Sequence, residues 1–442
     1  MTLYKFKAFK LHMMNKKLLL TLSVFVFSAE IFAQANAELK TIINNSFKFF
    51  PKAIEAENTI RTAEEKLVLT KLNNSTSIAA YGGYSYAAPV PEFEFGPNKV
   101  QFQPHNNFNT NVSGLYTIYD FGRLKANIEK SKADLLLTKH NVESLQFQLA
   151  NQISSIYYNI IYIKKAITIQ DTILAFLGEN KKIVETKLNN GDALKFDVLN
   201  IQASIDNEEN RKVDLSNLLQ KQLYLLEYSS GYKSISSSVF DFNSGTASNL
   251  LDAVQAKEIA TKNNIDFLIA KDKMQQAISD LEIIKLQEKP TINSNAALGF
   301  RNGFAPDIFQ FRFNYLAGVG INIPLYTGGK MKQSVKLQQT LIKQNELAIK
   351  SLEATHLKDI QQTLTDIATN KQRIYNTKGQ IEQAQYAQRL ASVRFTNGVG
   401  TNLELINASS NVQRALLTKL QYEFQLCLAN VELAKLLGER YW

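Results

Sequence analysis

The chain has 442 residues, room for two or three compact domains, yet only 8 Pro and 19 Gly with long stretches free of both. Such scarcity of breakers points away from a compact enzyme and toward a few very long helices. The formal charge of +10 falls to a surplus of 45 basic over 39 acidic residues once residues 1–33 are set aside, which is too small to argue for nucleic acid. The one cysteine, Cys427, excludes a disulfide framework.

The N-terminus carries Lys5, Lys7, Lys10, Lys16 and Lys17, then an apolar run from Leu18 to Ala29 and a small residue at Ala33. This is the three-part pattern of a secretory signal peptide over residues 1–33, cleaved after Ala33, with Met13 and Met14 as alternative starts. The competing reading, a membrane anchor, needs roughly 20 apolar residues, more than the run supplies. No later segment reaches that length either, so a membrane role would have to come from strands.

Self-comparison is the most informative step. A shift of 207 residues aligns "YDFGRLKANIEKSKADLLL" at 119 with "YTGGKMKQSVKLQQTLIKQ" at 326, and the same shift pairs Asn190 and Gly191 with Asn397 and Gly398, and Gly231 with Gly438. Upstream, "TIINNSFKF" near 45 matches "ATKNNIDFL" near 264 at a shift of 219, which leaves 12 extra residues in the Pro-rich segment "AAPVPEFEFGPNKVQFQPHNN" of the first copy. The expected organisation is a first repeat over 34–231, a Ser-rich linker over 232–250 and a second repeat over 251–440. Each repeat reads as helix, strand, loop, strand, long helix, break, returning helix.

Two alternating segments per copy are expected as strands: 75–87 and 107–119, then 291–302 and 312–325. In "NFNTNVSGLYTIY" Phe108, Thr110, Val112, Tyr116 and Ile118 share one face and Asn107, Asn109, Asn111 and Ser113 the other. In "RFNYLAGVGINIPLY" Phe313, Tyr315, Val319, Ile321 and Leu325 alternate with Arg312, Asn314, Gly318, Gly320 and Asn322. Period-two alternation over about ten residues fits membrane-barrel strands, and also a half-buried soluble sheet. A membrane barrel needs about eight strands and tolerates no open edge, so four strands imply that several chains share one barrel.

The long helices carry sustained seven-residue apolar repeats. Ile128, Leu135, Val142, Leu149, Ile156 and Ile163 form one seam, Ile153, Ile160, Ile167 and Leu174 a second, and Ile360, Ile367, Ile374 and Ile381 repeat the second in the later copy. Helices of this kind wrap around neighbours. An unbroken helix from Leu124 to Leu188 would run roughly 100 Å at about 1.5 Å per residue. Each then meets an Asn-Gly, and Gly191 and Gly398 supply the left-handed conformation that ends a helix and reverses the chain; an internal kink is the alternative.

Taken together, the duplicated unit, the "INIPLYTGGK" junction at 321–330 with its weaker copy "LYTIYDFGR" at 115–123, the breaks "NGDALKFDVLNIQAS" and "NGVGTNLELINAS", and the closing "LLG" at 436–438 resemble the TolC-like outer-membrane efflux and secretion channel family. The likeness runs from about residue 37 to 440. It implies an α+β fold in which a long α-helical coiled-coil barrel is joined to four transmembrane β-strands per chain, contributed to one shared trimeric β-barrel. The partners it implies are two further copies in a homotrimer, outer-membrane lipid, a periplasmic adaptor (membrane fusion) protein and an inner-membrane pump of RND or ABC type. It implies the outer membrane of a Gram-negative bacterium, a periplasmic tunnel, and no catalytic residue, cofactor, metal or nucleic acid.

In that family the hairpin tips form the periplasmic entrance. Asp197 and Glu404 stand six residues after Gly191 and Gly398 and match its acidic position, and Asn407 stands where a further acid is common. Rings of carboxylates repel anions and concentrate cations, so Glu404 is the leading candidate for a selective ring; the alternative is that both acids are ordinary solvated charges at helix starts. The family links neighbouring hairpins through a Tyr and an Arg, and the matching positions here are Phe395 and Gly400, so that link is expected to be absent. Pro324, Gly329 and Gly122 mark the strand-to-helix junctions. His105, His140 and His356 lack ligand spacing, and "GVG" at 318–320 and 398–400 lacks the Lys and turn of a phosphate loop. The competing function is an exported structural coiled coil, an adhesin stalk or adaptor.

Overall fold

The structure is a computed structural model that describes residues 37–237, 240 and 252–442. The expected signal peptide and residues 238–239 and 241–250 of the expected linker lie outside the described residues. Helix α1 covers residues 37–49, followed by α2 (Pro51–Leu72), strands β1 (Ser77–Tyr86), β2 (Glu92–Phe95), β3 (Asn98–Gln101) and β4 (Asn106–Tyr119), and helices α3 (Arg123–Asn189) and α4 (Lys195–Ser230). After the linker come α5 (Ala253–Asn263), α6 (Ile265–Leu286), β5 (Thr291–Arg301), β6 (Arg312–Asn322), α7 (Lys330–Thr396) and α8 (Asn402–Leu437). Helices α3 and α7 are both 67 residues long and α4 and α8 both 36, each second member 207 residues after the first.

The chain divides into two compact units. One holds the described residues up to Glu57 with Asn141–Leu268 and Ser351–Trp442. It is helical, and its core follows the seven-residue repeats: Leu149, Ile153, Ile156, Tyr157, Ile160 and Ile161 of α3 pack with Leu39, Ile42 and Ile43 of α1, Leu226 of α4 and Val431 of α8. Each such side chain, taken fully out of water, contributes about 1.5–3 kcal/mol. Helices α4 and α8 stop at Gly231 and Gly438, at φ 77 and φ 73, where an L side chain would be strained. At Gly438 a Cβ would also lie 2.4 Å from the Asn263 carbonyl oxygen, so only glycine fits there. Beside it the Asn264 amide donates to the carbonyls of Lys435 and Leu436, tying the start of α6 to the end of α8.

The other unit is Asn58–His140 with Ile269–Lys350. Its centre is a four-stranded antiparallel sheet in the order β1-β4-β5-β6. Register puts Ile78, Tyr84, Phe108, Val112, Leu298, Phe300, Phe313, Tyr315, Val319 and Ile321 on one face and Asn107, Asn109, Asn111, Asn293, Asn295, Arg312 and Asn314 on the other. The apolar face is uncovered: Ile78 is 72 %, Tyr315 80 % and Val319 69 % exposed.

Two differences from expectation stand out. The last strand, expected over 312–325, ends at Asn322, because residues 323–327 have no strand to pair with among the described residues. The Pro-rich insert, expected as loop, folds as the hairpin β2–β3. Its two-residue turn is Gly96–Pro97 with Gly96 at φ 63, and Pro89, Pro91 and Pro97 all fall outside its strands, where a missing N–H costs nothing.

Candidate functional site

Helix α3 ends at Asn189 and α7 at Thr396, with Gly191 at φ 84 and Gly398 at φ 78. Both stops are built alike: the Asp192 N–H donates to the Lys187 carbonyl at 2.8 Å, and the Val399 N–H to the Arg394 carbonyl at 3.0 Å. These bonds satisfy carbonyls that the helix ends would otherwise leave unpaired. The next helix starts within a few residues, so α3–α4 and α7–α8 are two helical hairpins.

The second turn is tighter. The Gly400 N–H also donates to the Arg394 carbonyl, at 3.0 Å, and a Cβ on Gly400 would lie 2.9 Å from the Arg394 Cβ and 3.1 Å from its carbonyl carbon. Gly400 is therefore required by the backbone path of this turn. That gives a physical reason why the arginine expected from the resemblance is missing here.

The acids do different jobs. Asp197 is the third residue of α4, and its carboxylate accepts the Leu194 N–H at 3.0 Å, a capping role worth about 1 kcal/mol. Glu404 is also in a first turn, but there Thr401 caps the helix, its hydroxyl accepting the Glu404 N–H at 3.2 Å. The Glu404 carboxylate stays half-exposed, 3.8 Å from the Arg394 Nε. Asn407, one turn further, is exposed. Local capping uses up Asp197, whereas the Glu404 carboxylate takes no part in capping and pairs with Arg394 at the surface.

The two tips are joined within the chain. Phe395 is 6 % exposed and packs in a cluster with Ile173, Leu177, Val184, Ile201 and Leu405, drawn from both hairpins. The Lys187 ammonium donates to the Phe395 carbonyl and lies 4.6 Å from its ring centroid. Asn402, 3 % exposed, donates from its amide to the Asp197 carbonyl at 3.1 Å. So the position that lacks the expected tyrosine still joins the hairpins, through a buried ring and a backbone carbonyl instead of a phenol. Sequence reasoning missed Lys187 and Asn402; the usable signal was a Lys in the last turn of α3, where free carbonyls attract cations.

At the strand-to-helix junctions Gly122 and Gly329 adopt φ 91 and φ 76. The Asp120 carboxylate accepts the N–H groups of Gly122 and Leu124, at 3.0 and 2.5 Å, and so caps α3. Pro324 lies just past β6, in the segment without strand pairing. Two histidines bond within the fold: His105 to the Ala87 carbonyl at 2.9 Å, and His140 to Asp272.

Known proteins are similar to this chain in sequence and fold. The chain is 19 % identical over 361 residues to nodulation protein T of Rhizobium leguminosarum bv. viciae, covering 77 % of this chain and 71 % of that protein. Its fold is similar to the outer membrane protein VceC of Vibrio cholerae, with a TM-score of 0.75 at 16 % identity over 92 % of this chain and 97 % of that one. It is likewise similar to the CmeC outer membrane channel of Campylobacter jejuni, with a TM-score of 0.76 at 14 % identity over 91 % of this chain and 85 % of that one. Residues 87–231 and 258–439 match the outer membrane efflux protein family, and with both long hairpins and three of the four main strands inside that match, the chain belongs to this family.

Proposed function

We propose that this chain is the outer-membrane exit duct of a tripartite efflux or type I secretion system. Three copies close one barrel, and the hairpin tips dock to a periplasmic adaptor and an inner-membrane pump. The observation that carries this reading is the sheet. Strands of 10 to 14 residues match the length that crosses a bilayer when tilted, and an uncovered face of Ile, Val, Leu, Phe and Tyr suits lipid, while the Asn-rich face suits a water-filled lumen. Among the described residues no helix is long and apolar enough to cross a membrane, so in this reading the sheet alone does so.

The duct does no chemistry; it offers a path whose entrance is narrowed by the tips. Glu404, Asn407 and Asp197, with Gly398, Gly191, Phe395 and Gly400 shaping the turns, form that entrance. Glu404 supplies the carboxylate ring that favours cations over anions.

The test is reconstitution of purified protein in planar bilayers beside Glu404→Gln. Stepwise conductance with a lower cation-to-anion permeability ratio in the variant is expected. A protein that fractionates as soluble and gives no conductance would end the reading, and an unchanged ratio would remove Glu404 from the entrance.

A further inference from the structure

We propose that the end of the sheet where β5 turns into β6 carries an oxyanion site, built on Arg301, Arg312 and Asn314, that takes phosphate or carboxylate groups on the polar face. The proposal rests on the duct reading above for one point, that this face lines the lumen; the binding itself does not need it.

The site begins with a pairing that sheets ordinarily avoid. Register sets Arg301 of β5 directly opposite Arg312 of β6, and like charges so placed repel. Both fall on the Asn-rich face, one residue past the Phe300–Phe313 pair of the apolar face. The first hairpin shows that the fold does not ask for this. One residue past its matching pair, Tyr86–Asn106, stand Ala87 and His105, joined by the Ala87 N–H donating to the His105 carbonyl at 2.8 Å. The arginine pair therefore belongs to the second repeat and not to the first.

The surroundings hold these side chains without neutralising them. Among the described residues neither guanidinium has an ion-pair partner. The acid of the connecting loop, Asp307, is turned to its own backbone, where its carboxylate accepts the Phe309 N–H at 3.0 Å. The same loop grips both arginines. The Arg301 guanidinium carbon sits over the Phe304 ring, 4.7 Å from its centroid, and Arg312 Nη1 donates to the Ala305 carbonyl at 3.0 Å. A ring under a guanidinium fixes its plane and leaves its N–H edge open to an acceptor.

Two further donors are idle. Arg312 Nε and Asn314 Nδ2 are shut off from water and have no hydrogen-bond partner among the described residues, and they stand on the same face of β6. A buried donor left unpaired costs stability. Asn314 lacks a side-chain partner directly across because Gly299 stands there, and a Cβ on Gly299 would lie 2.0 Å from the Thr110 carbonyl oxygen. An oxyanion answers both deficits: its charge cancels the repulsion of the pair, and its several oxygens accept from the idle donors, a geometry for which arginine is suited. In the duct reading each copy adds one such pair, so basic groups ring the exit as Glu404 makes the entrance acidic.

Titration calorimetry of inorganic phosphate into the purified full chain in detergent, at constant ionic strength set with chloride, tests this. Wild type is expected to bind, and Arg312→Gln to bind about ten-fold more weakly or worse. Arg312→Lys should lose several-fold, because lysine keeps the charge and lacks the Nε donor. Lys99→Gln, which removes a basic group from the β2–β3 hairpin, should change nothing. Equal affinity in wild type and Arg312→Gln overturns the site, as does a wild type that binds nothing with its sheet intact by circular dichroism. Full affinity in Arg312→Lys overturns the part given to Nε. Phosphorus analysis separates the sources of the anion. Lipid phosphorus that survives detergent exchange in wild type and is lost from Arg312→Gln makes the ligand a headgroup and overturns the luminal placement. No retained phosphorus, with phosphate lowering the conductance of wild type in planar bilayers several-fold more than that of Arg312→Gln, supports a soluble anion in the duct. A chain that binds phosphate and never conducts overturns the duct reading and keeps the site; one that conducts and binds none does the reverse.

Discussion

Helices α3 and α7 have the same length, the same kind of stop and the same place in their repeats, yet they bury different chemistry. Along one seven-residue line α3 buries Leu149, Ile156, Ile163 and Gln170, and the counterparts on α7 are His356, Thr363, Asn370 and Thr377, none more than 8 % exposed. The other line is aliphatic in both, with Ile160 and Ile367 as buried counterparts. So α3 is held by apolar burial on both lines as far as Ile163, before Gln170 turns the first line polar, and α7 is held so on one. Duplication preserved the backbone because helix length and breaks set where each hairpin ends. Seam composition was free to diverge, and it sets how firmly each hairpin is held. The α7 line is not fully satisfied either: Asn370 Oδ1 and His356 Nδ1 lack hydrogen-bond partners among the described residues, a state that costs stability.

The sharpest way to break this contrast is to give α3 the residue of its twin. Ile163 is fully buried, and Ile163→Asn should cost about 3–4 kcal/mol, from lost burial and a stranded amide. Hydrogen exchange by mass spectrometry should then show faster exchange along α3, down to the level of α7. If α3 stays the slower helix by the wild-type margin, seam composition does not set the difference.

The C-terminus adds a second support that favours α3. The Tyr441 phenol oxygen accepts from the Ser154 hydroxyl at 3.3 Å, and Trp442 packs edge-on against Phe147 at 4.8 Å. Burial pushes the Tyr441 phenol up to about 12 from an ordinary value near 10. Below pH 10 the phenol is neutral folded or unfolded, and its support is complete. As pH rises from 10 to 12 the unfolded chain ionises first, so stability falls, by roughly 2–3 kcal/mol once pH passes 12. Tyr157, raised in the same sense by burial, adds to the loss. Tyr441→Phe should flatten part of the decline between pH 10 and 12 in heat-unfolding midpoints. A decline as steep as wild type would assign it wholly to other groups.

Much of this was legible in the sequence, for identifiable reasons. An ungapped repeat constrains helix lengths, so the breaks at Gly191 and Gly398 and the strand positions followed from alignment and period-two patterning. What stayed hidden depends on contacts distant in sequence. The role of Phe395 as a buried anchor needs Lys187 and Leu405 around it. The capping role of Asp197, against the exposure of Glu404, depends on whether the residue before the helix can cap it, and Leu194 cannot where Thr401 can. The end of β6 was misplaced for another reason: alternation marks which residues suit a strand, while pairing needs a neighbour, and residues 323–325 have none among the described residues.

The reverse exchange has a smaller effect and tests the same idea from the other side. Asn370→Ile places on α7 the residue that α3 carries at the counterpart Ile163, removes an unpartnered amide oxygen and adds apolar burial at a site 5 % exposed. The expected gain is about 1 kcal/mol, less than the loss in the opposite exchange, because a seam that packs asparagine has not been shaped for a branched side chain. It should appear as slower hydrogen exchange along α7 at an unchanged secondary-structure content. If the gain equals or exceeds the cost of Ile163→Asn, the polar line is a plain defect. A loss of stability would mean that Asn370 is satisfied by groups supplied on assembly, and then the α7 seam is polar because it is finished only there.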